Sequence, residues 1–368
     1  TDVSSEMIYP LLPVFLAPIL GAGALSTGVI EGVAESTTAF LKVVSGVWTD
    51  RVRVRKPFVV AGYSLAGIAR PLIGLAWTWP VVLGLRFVDR VGKGIRTSPR
   101  DALIADVTPP EVRGAAYGLH RAMDHAGAVV GPLVAAALVW KLGLPLRTVF
   151  LLAAIPAALV LVVLVTLLRE PPPAGRRAAP PATLSGWRDL GRNFHVLLAA
   201  VLLFTLGNST DAFLLLRLSD LGAQPEWIAV LWSLFHVVKV VATGLGGRLA
   251  DRLGRRAMIA AGWTVYAAVY VGFALVDSLA GAIAVFLAYG VHFGLTEPAE
   301  KALVAGLVAE DRRGTAFGFY HGAIGLAALP ASLLFGLLWW QASPSVAFLA
   351  GAGLAGAASA VLLLGVRK

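Results

Sequence analysis

The sequence predicts an all-α polytopic membrane protein with 12 transmembrane helices in two pseudo-symmetric six-helix bundles. Hydrophobic residues are 58% of the chain and charged residues only 14%, whereas roughly a quarter of the residues in soluble domains are charged. Apolar runs of about 20 residues, long enough to cross ~30 Å of hydrocarbon, recur along the whole chain. Backbone groups in lipid must be hydrogen-bonded within their own segment, so these runs are predicted to be helices. A polar motif that occurs in both halves indicates an internal duplication.

The apolar runs divide the chain into two bundles, at 1–168 and 194–368, joined by a Pro-rich and basic linker at 169–193. Helix 1 lacks the apolar lead-in of its later counterpart, so we expect the protein to begin about a dozen residues upstream. The predicted helices are 1–20, 25–48, 57–77, 79–94, 114–140, 144–168, 194–218, 226–249, 258–276, 279–297, 315–340 and 346–366.

The repeated polar motif follows helix 2 and helix 8. It runs from Gly46 through Asp50 and Arg51 in the first copy. A basic segment between two spans cannot enter hydrocarbon, because each stranded charge costs a few kcal/mol. Both copies are therefore predicted to be tight loops at the membrane surface. The second copy contains Gly247, Asp251, Arg252, Gly254 and Arg255.

Basic residues lie mostly after the even-numbered helices. By the positive-inside rule this distribution predicts cytoplasmic termini and a cytoplasmic linker, in a plasma (inner) membrane. The net charge of +10 does not indicate nucleic-acid binding, because the charges occupy alternate loops rather than one exposed face. The chain has no cysteine and no phosphate-binding glycine loop or nucleophile elbow, so neither an enzyme nor a cofactor is predicted.

With its 6+6 arrangement and two copies of the Gly-x-x-x-Asp-Arg motif, the chain resembles the major facilitator superfamily of secondary transporters. The resemblance implies alternating access, in which two halves rock around a central site. It also suggests that Asp50 and Asp251 act as gates by contacting the N-terminus of a neighbouring helix. The alternative is that these loops only hold the chain's topology.

Helix 5 resembles the family's exporter and antiporter element, which favours the branch of drug/proton antiporters. Small residues four apart allow close helix approach, and proline can kink a helix. Plain packing would also explain the pattern. The matching residues are Gly127, Gly131 and Pro132.

Ionisable residues inside apolar spans are functional candidates, because a charge in hydrocarbon needs a partner or a cavity. Glu6 and Asp211 occupy equivalent repeat positions, and the resemblance implies that they face the central cavity. Since burial disfavours the charged form, either acid is predicted to bind and release a proton. For the polar faces of helices 2 and 8, cavity lining and mutual charge pairing are both open. The substrate and proton candidates are Glu6, Glu31, Glu35, Arg86, Asp89, His120, Asp124, Asn208, Asp211, His236, Lys239 and His292.

Three of these candidates carry more specific hypotheses. Arg86 matches the position of the family's helix 4 arginine, which the resemblance links to proton coupling. His120 and Asp124 share one helix face, with His125 about 100° away. Histidine with carboxylate binds divalent transition metals or relays protons, so this cluster is a candidate metal site. Hydrogen bonding to helix 4 is the alternative.

These observations together predict a monomeric, proton-coupled exporter of a small polar or charged solute. The density of acids, bases and histidines favours a polar substrate, since a pocket for apolar cations is expected to be richer in aromatic residues and methionine. The alternatives are a divalent-metal exporter and, from another class, a non-transporting receptor or a lipid-flipping protein. The predicted partners are the substrate, protons and the lipid bilayer.

Overall fold

The computed structural model describes residues 1–21, 24–52, 54–170, 184–208, 211–223 and 225–366. Every regular element in these ranges is helical, which agrees with the predicted fold class. Eight helices in the described part of the chain are long and apolar enough to cross a membrane, and Arg192–Gly207 is a shorter apolar helix. Most of the linker, 171–183, and the basic C-terminal residues 367–368 lie outside the described residues.

The helices keep the predicted order, and we number them as in the sequence. The first half contains helix 1 (Asp2–Glu6, the 3-10 turn Tyr9–Leu11, and Leu12–Leu20), helix 2 (Ala24–Val52), helix 3 (Lys56–Leu72), helix 4 (Trp79–Val107), helix 5 (Arg113–Trp140) and helix 6 (Leu146–Leu152 and Ala154–Thr166). The second half contains helix 7 (Arg192–Gly207 and Ala212–Asp220), helix 8 (Pro225–Leu253), helix 9 (Arg255–Leu275), helix 10 (Leu279–Leu307), helix 11 (Arg313–Gln341) and helix 12 (Pro344–Gly365).

Helices 4 and 10 are longer than predicted. Each has 29 residues, so the predicted ends at 94 and 297 are wrong. Hydropathy marked the following residues as loop because they are polar, but in the structure many of these polar groups are buried within the helix bundle. Asp101, for example, is 0% exposed. Charges that are paired inside protein do not end a helix.

The repeated motif was also predicted wrongly in part. The stretch from Gly46 to Val52 is the last part of helix 2, and Gly247–Leu253 is the last part of helix 8. The turn itself comes at Gly254, whose φ of +93° is in the region that favours glycine. Asp50 and Asp251 therefore lie on terminal helical turns and not in loops.

Helices 1 and 7 are interrupted, although each was predicted as one unbroken helix. Helix 1 changes to a 3-10 turn at Tyr9–Leu11, where Pro10 lacks the backbone N–H that a helix needs. Helix 7 stops at Gly207 and resumes at Ala212. Discontinuous helices in equivalent repeat positions are typical of transporter binding sites.

The described residues fold into two compact units. The first contains Thr1–Val107, Asp124–Trp187 and Asp311–Gly322, and the second contains Thr108–Met123, Arg188–Glu310 and Ala323–Lys368. Each unit thus includes the first turns of a helix from the other half of the sequence.

The interiors of the two units differ in chemistry. A buried cluster in the first unit consists mainly of aliphatic residues and includes the phenylalanines Phe15 and Phe150. The core of the second contains a cluster of stacked rings, which the sequence analysis did not anticipate. The ring residues recur every three or four positions in helices 9 and 10, which is the spacing of one helix face. They are Phe204, Trp263, Tyr266, Tyr270, Phe273, Phe286, Tyr289 and Phe293.

Candidate functional site

The end of helix 2 contacts the start of helix 11 through Asp50. Its carboxylate accepts hydrogen bonds from the backbone N–H groups of Gly314 (3.0 Å) and Thr315 (2.5 Å). These N–H groups belong to the first turn of helix 11, where a helix has unsatisfied donors and a partial positive charge. We call this contact the first cap. It joins a helix of the first sequence half to a helix of the second.

An ion-pair chain extends the first cap. Arg55 pairs with Asp50 (3.0 Å) and with Asp106 (2.7 Å), and Asp106 also pairs with Arg313 (2.6 Å). Burial alone would lower the pKa of the Arg55 guanidinium, but the two neighbouring carboxylates outweigh burial and raise its pKa. Arg55 therefore stays charged, and the buried carboxylate of Asp50 retains a cationic partner. None of Arg55, Asp106 and Arg313 was among the candidates selected from the sequence.

The end of helix 8 contacts the start of helix 5 in the same way, through Asp251. Its two carboxylate oxygens accept hydrogen bonds from the N–H groups of Gly114 and Ala115, at 2.8 Å each. We call this contact the second cap. Arg255 lies 3.8 Å from Asp251, and residue 306, which corresponds to Asp106 in the repeat, is glycine. The second cap thus lacks the carboxylate that extends the first.

The motif glycines allow the close approach of backbones in both caps. A Cβ added to Gly46 would lie 3.0 Å from the Cα of Gly318 and closer still to the carbonyl oxygen of Gly314. A Cβ on Gly247 would meet Gly118 and Gly114 in the same way. The remaining motif arginines, Arg51 and Arg252, are exposed.

A buried charge cluster surrounds Asp89 in the first unit. The Asp89 carboxylate accepts hydrogen bonds from Arg70 Nε (2.7 Å) and Arg86 Nη1 (3.3 Å), and Arg90 Nε is 4.0 Å away. The structure thus brings two predicted candidates, Arg86 and Asp89, into contact. Arg70, from helix 3, was missed, although an arginine inside an apolar span is itself a signal.

Helix 5 packs against helix 1 through its two motif glycines. A Cβ on Gly127 would lie 2.6 Å from the Cβ of Asp2, and one on Gly131 would lie 2.6 Å from the Cβ of Glu6. Pro132 follows and is half-buried. The glycines thus hold helix 5 against the face of helix 1 that carries both acids.

Two carboxyl groups meet at this contact between helices. The side chain of Asp124, one turn before Gly127, is within hydrogen-bonding reach of Asp2. A hydrogen bond between two carboxyl groups requires a proton on one of them, because like charges in contact are strongly unfavourable. From the sequence, Asp124 was expected to act with His120, and Asp2 was not among its expected partners.

The break in helix 7 lies beside the aromatic cluster of the second unit. Tyr266 donates its hydroxyl hydrogen bond to the carbonyl of Gly207 (2.9 Å) and approaches the side chain of Asn208 (3.4 Å). Tyr289 donates to Asp211 (3.2 Å). Two tyrosines from helices 9 and 10 thus hold the polar groups on either side of the break.

His292, another predicted candidate, is packed inside the aromatic cluster. It is 3% exposed, and its Nδ1 is 2.9 Å from the carbonyl oxygen of Gly262. Its ring stacks on Tyr289 with an interplanar angle of 3°. These contacts give His292 a structural place in the second unit.

Lys239 and His236 lie on the buried side of helix 8. Lys239 is 5% exposed and His236 is 8% exposed. The Lys239 ammonium lies 4.1 Å from the ring centre of Phe235 and 3.6 Å from that of Phe293. The ring of His236 meets Trp232 edge to face.

The predicted metal candidates lie on helix 5. His125 is buried, while His120 and Asp124 are half-buried. Among the residues that the structure describes, no group of three or more histidine, aspartate or glutamate side chains could hold a metal ion. The side chains of Glu31 and Glu35 lie outside the described residues.

Comparison with known proteins identifies the class. The model of the Major Facilitator Superfamily matches residues 1–238 and 212–368. The chain therefore belongs to this superfamily, and it is a multi-pass membrane transporter and not an enzyme.

Among similar proteins, an uncharacterized MFS-type transporter of Methanocaldococcus jannaschii is 34% identical over 96% of this chain and 89% of its own length. The multidrug resistance protein MdtH of Sodalis glossinidius is 25% identical over 87% of this chain and 78% of its own. Among solved structures, the human organic anion transporter MFSD10 has a TM-score of 0.82 at 19% identity, covering 98% of this chain and 96% of that one. The likeness to MFSD10 concerns the fold alone.

Proposed function

We propose that the protein is a proton-coupled exporter of a small polar or charged solute, which works by alternating access. In this proposal the first and second caps form in the state that is closed on the cytoplasmic side, and both break when that side opens. The observation that carries the proposal is that both caps join the two sequence halves, each in the same repeat position. A contact made in one state and absent in the other changes the balance between the states by its differential free energy.

The geometry of the caps supports a gating role over a purely topogenic one. A topogenic charge needs only to remain at the membrane surface, and the exposed Arg51 and Arg252 would be sufficient. The Asp50 side chain, by contrast, is 0% exposed, and its carboxylate accepts hydrogen bonds from two backbone N–H groups of another helix. Such burial has a high desolvation cost unless the partners are in place.

The carboxyl pair of Asp2 and Asp124 supports proton coupling. Two carboxyl groups in contact share a proton because two charged carboxylates would repel each other. When the helices separate or water enters, this repulsion weakens and the proton can be released. We propose this pair as a proton-binding site, together with the predicted acids Glu6 and Asp211. Proton release from such a site would couple to movement of helix 1 against helix 5.

One named relative bears on the direction of transport. The relative from Sodalis glossinidius is named as a multidrug resistance protein, which favours export. Placement in the inner membrane with cytoplasmic termini, and function as a monomer, belong to the proposal as well.

The test is a flux measurement with the purified protein in liposomes, with a pH gradient imposed across the bilayer. The panel contains divalent metal ions, organic acids and cationic drugs, so it also covers the metal alternative. We expect gradient-dependent flux of one solute class, and loss of that flux when the gradient is collapsed with a protonophore. Flux that does not depend on the pH gradient, or the absence of flux for every solute class, would refute the proposal.

A further inference from the structure

The ammonium group of Lys239 has an unusual setting for a buried charge. It lies in the second unit between the rings of Phe235, one turn earlier in helix 8, and Phe293 of helix 10. The residue is 5% exposed. An ammonium group carries three hydrogen-bond donors and no acceptor. Ring faces attract the charge but do not replace a hydrogen-bond acceptor.

The carboxylates near Lys239 have other partners. The charged groups around it are Asp211, Glu297 and Arg121. Glu297 pairs with Arg121 at 2.9 Å, and Asp211 accepts the hydrogen bond of Tyr289. No hydrogen bond or ion pair joins the ammonium group of Lys239 to any residue that the structure describes. Its ammonium therefore has donors to offer to an anion.

The surroundings of the ammonium are aromatic as well as cationic. Phe235 stacks on Tyr289 at an interplanar angle of 10°, and Phe293 meets Tyr289 edge to face. Rings of this kind pack against the flat apolar body of a ligand, while one fixed charge orients its polar end. The combination suits an amphipathic anion better than a metal ion, for which carboxylate, imidazole or thiolate ligands are needed.

From this setting we infer that Lys239, with Phe235 and Phe293, forms a subsite for the anionic group of an aromatic carboxylate or sulfonate. This inference rests on the proposed transport function and names its substrate class as an organic anion. The ligand's anionic oxygen accepts hydrogen bonds from the Lys239 ammonium, and its ring packs beside the two phenylalanines.

The test is equilibrium binding to the full chain in lipid nanodiscs, without any gradient. The probes are 1-naphthoate, the neutral 1-naphthamide and the cationic 1-naphthylmethylammonium. We expect 1-naphthoate to bind more tightly than the other two. Loss of one charge-assisted hydrogen bond in Lys239→Met should weaken 1-naphthoate about 10- to 100-fold, and Lys239→Arg should recover part of the affinity.

Lys141→Met is the matched control, because it removes the same charge from an exposed loop position and should leave 1-naphthoate affinity unchanged. A thermal melt of each variant checks that it is folded. Equal affinity of wild type and folded Lys239→Met would overturn the inference, as would a preference for the cation or no binding of 1-naphthoate at millimolar concentration. If Lys239→Met does not fold, the inference is tested by the affinity of Lys239→Arg for 1-naphthoate and by the order in which wild type binds the three probes.

The binding measurement also separates this inference from the transport proposal. If 1-naphthoate binds through Lys239 but no solute shows flux that depends on a pH gradient, the transport proposal is refuted and the inference of a subsite is not. If another solute shows gradient-dependent flux and 1-naphthoate does not bind, only the subsite fails.

Discussion

Replacing Asp50 with alanine is expected to open the first cap and populate the state that is open on the cytoplasmic side. The change removes two hydrogen bonds to backbone N–H groups and one ion pair at 3.0 Å to Arg55. Breaking a buried ion pair by removing one partner costs about 3–5 kcal/mol. If about 3 kcal/mol of this cost is specific to the closed state, the ratio of the two states changes roughly 100-fold.

The second cap provides an internal comparison. Asp251 makes two hydrogen bonds of the same type, but its nearest cation is 3.8 Å away. If the closer ion pair of Asp50 contributes about 1.5 kcal/mol more, which is the lower end for a hydrogen bond to a charged group, Asp251→Ala should change the ratio about 10-fold less than Asp50→Ala does. The two aspartates are therefore expected to differ, although the motif is shared.

The assay is a distance measurement between two spin labels in detergent and in nanodiscs. The chain has no cysteine, so labels can be attached at Glu111→Cys and Ala309→Cys, two exposed positions in different sequence halves. We expect the long-distance fraction to rise strongly in Asp50→Ala and less in Asp251→Ala. Asp220→Ala, at an exposed acid, is the matched control. A distribution in Asp50→Ala that equals that of wild type would refute the reasoning.

Three further predictions follow from the contacts described above. Gly306→Asp supplies the carboxylate that the second cap lacks, since a Cβ there would lie 3.0 Å from Arg255 Nη1. The same pair of spin labels should then show a larger fraction of the closed state. An unchanged or smaller closed fraction would count against the role of Asp106. Asp124→Asn should remove the dependence of flux on the pH gradient while the protein remains folded, because an amide donates a hydrogen bond to Asp2 without binding a proton. If the dependence is retained, the pair of Asp2 and Asp124 is not the proton-binding site. Gly246→Val should lower the melting temperature by several degrees, because any Cβ there meets the backbone of helix 10; a melt like that of wild type would contradict the packing of helices 8 and 10.

The sequence predicted the membrane class, the order of the helices and the repeat correctly, for a physical reason. Hydrocarbon imposes the same demand on every span, so the apolar length of a segment reports on its environment without knowledge of its neighbours. The predicted ends of helices 4 and 10 were wrong because polar residues such as Asp101 are paired inside protein. Hydropathy does not distinguish a charge that faces water from one that faces another helix.

The partners of the charged residues depended on tertiary structure alone. Asp50 and Gly314 are separated by 264 residues, and nothing in either local sequence indicates that one contacts the other. The proposed roles of Asp2, Asp106 and Lys239 likewise depend on which groups surround them, and the aromatic cluster appears only when helices 9 and 10 pack together. By itself, the sequence determined that this chain spans a membrane as a duplicated bundle, because burial in lipid is a property of each segment. Only the tertiary structure decided which acids cap which helices and which ammonium pairs with no carboxylate in the described part of the chain, because a charge pair is a property of two distant segments.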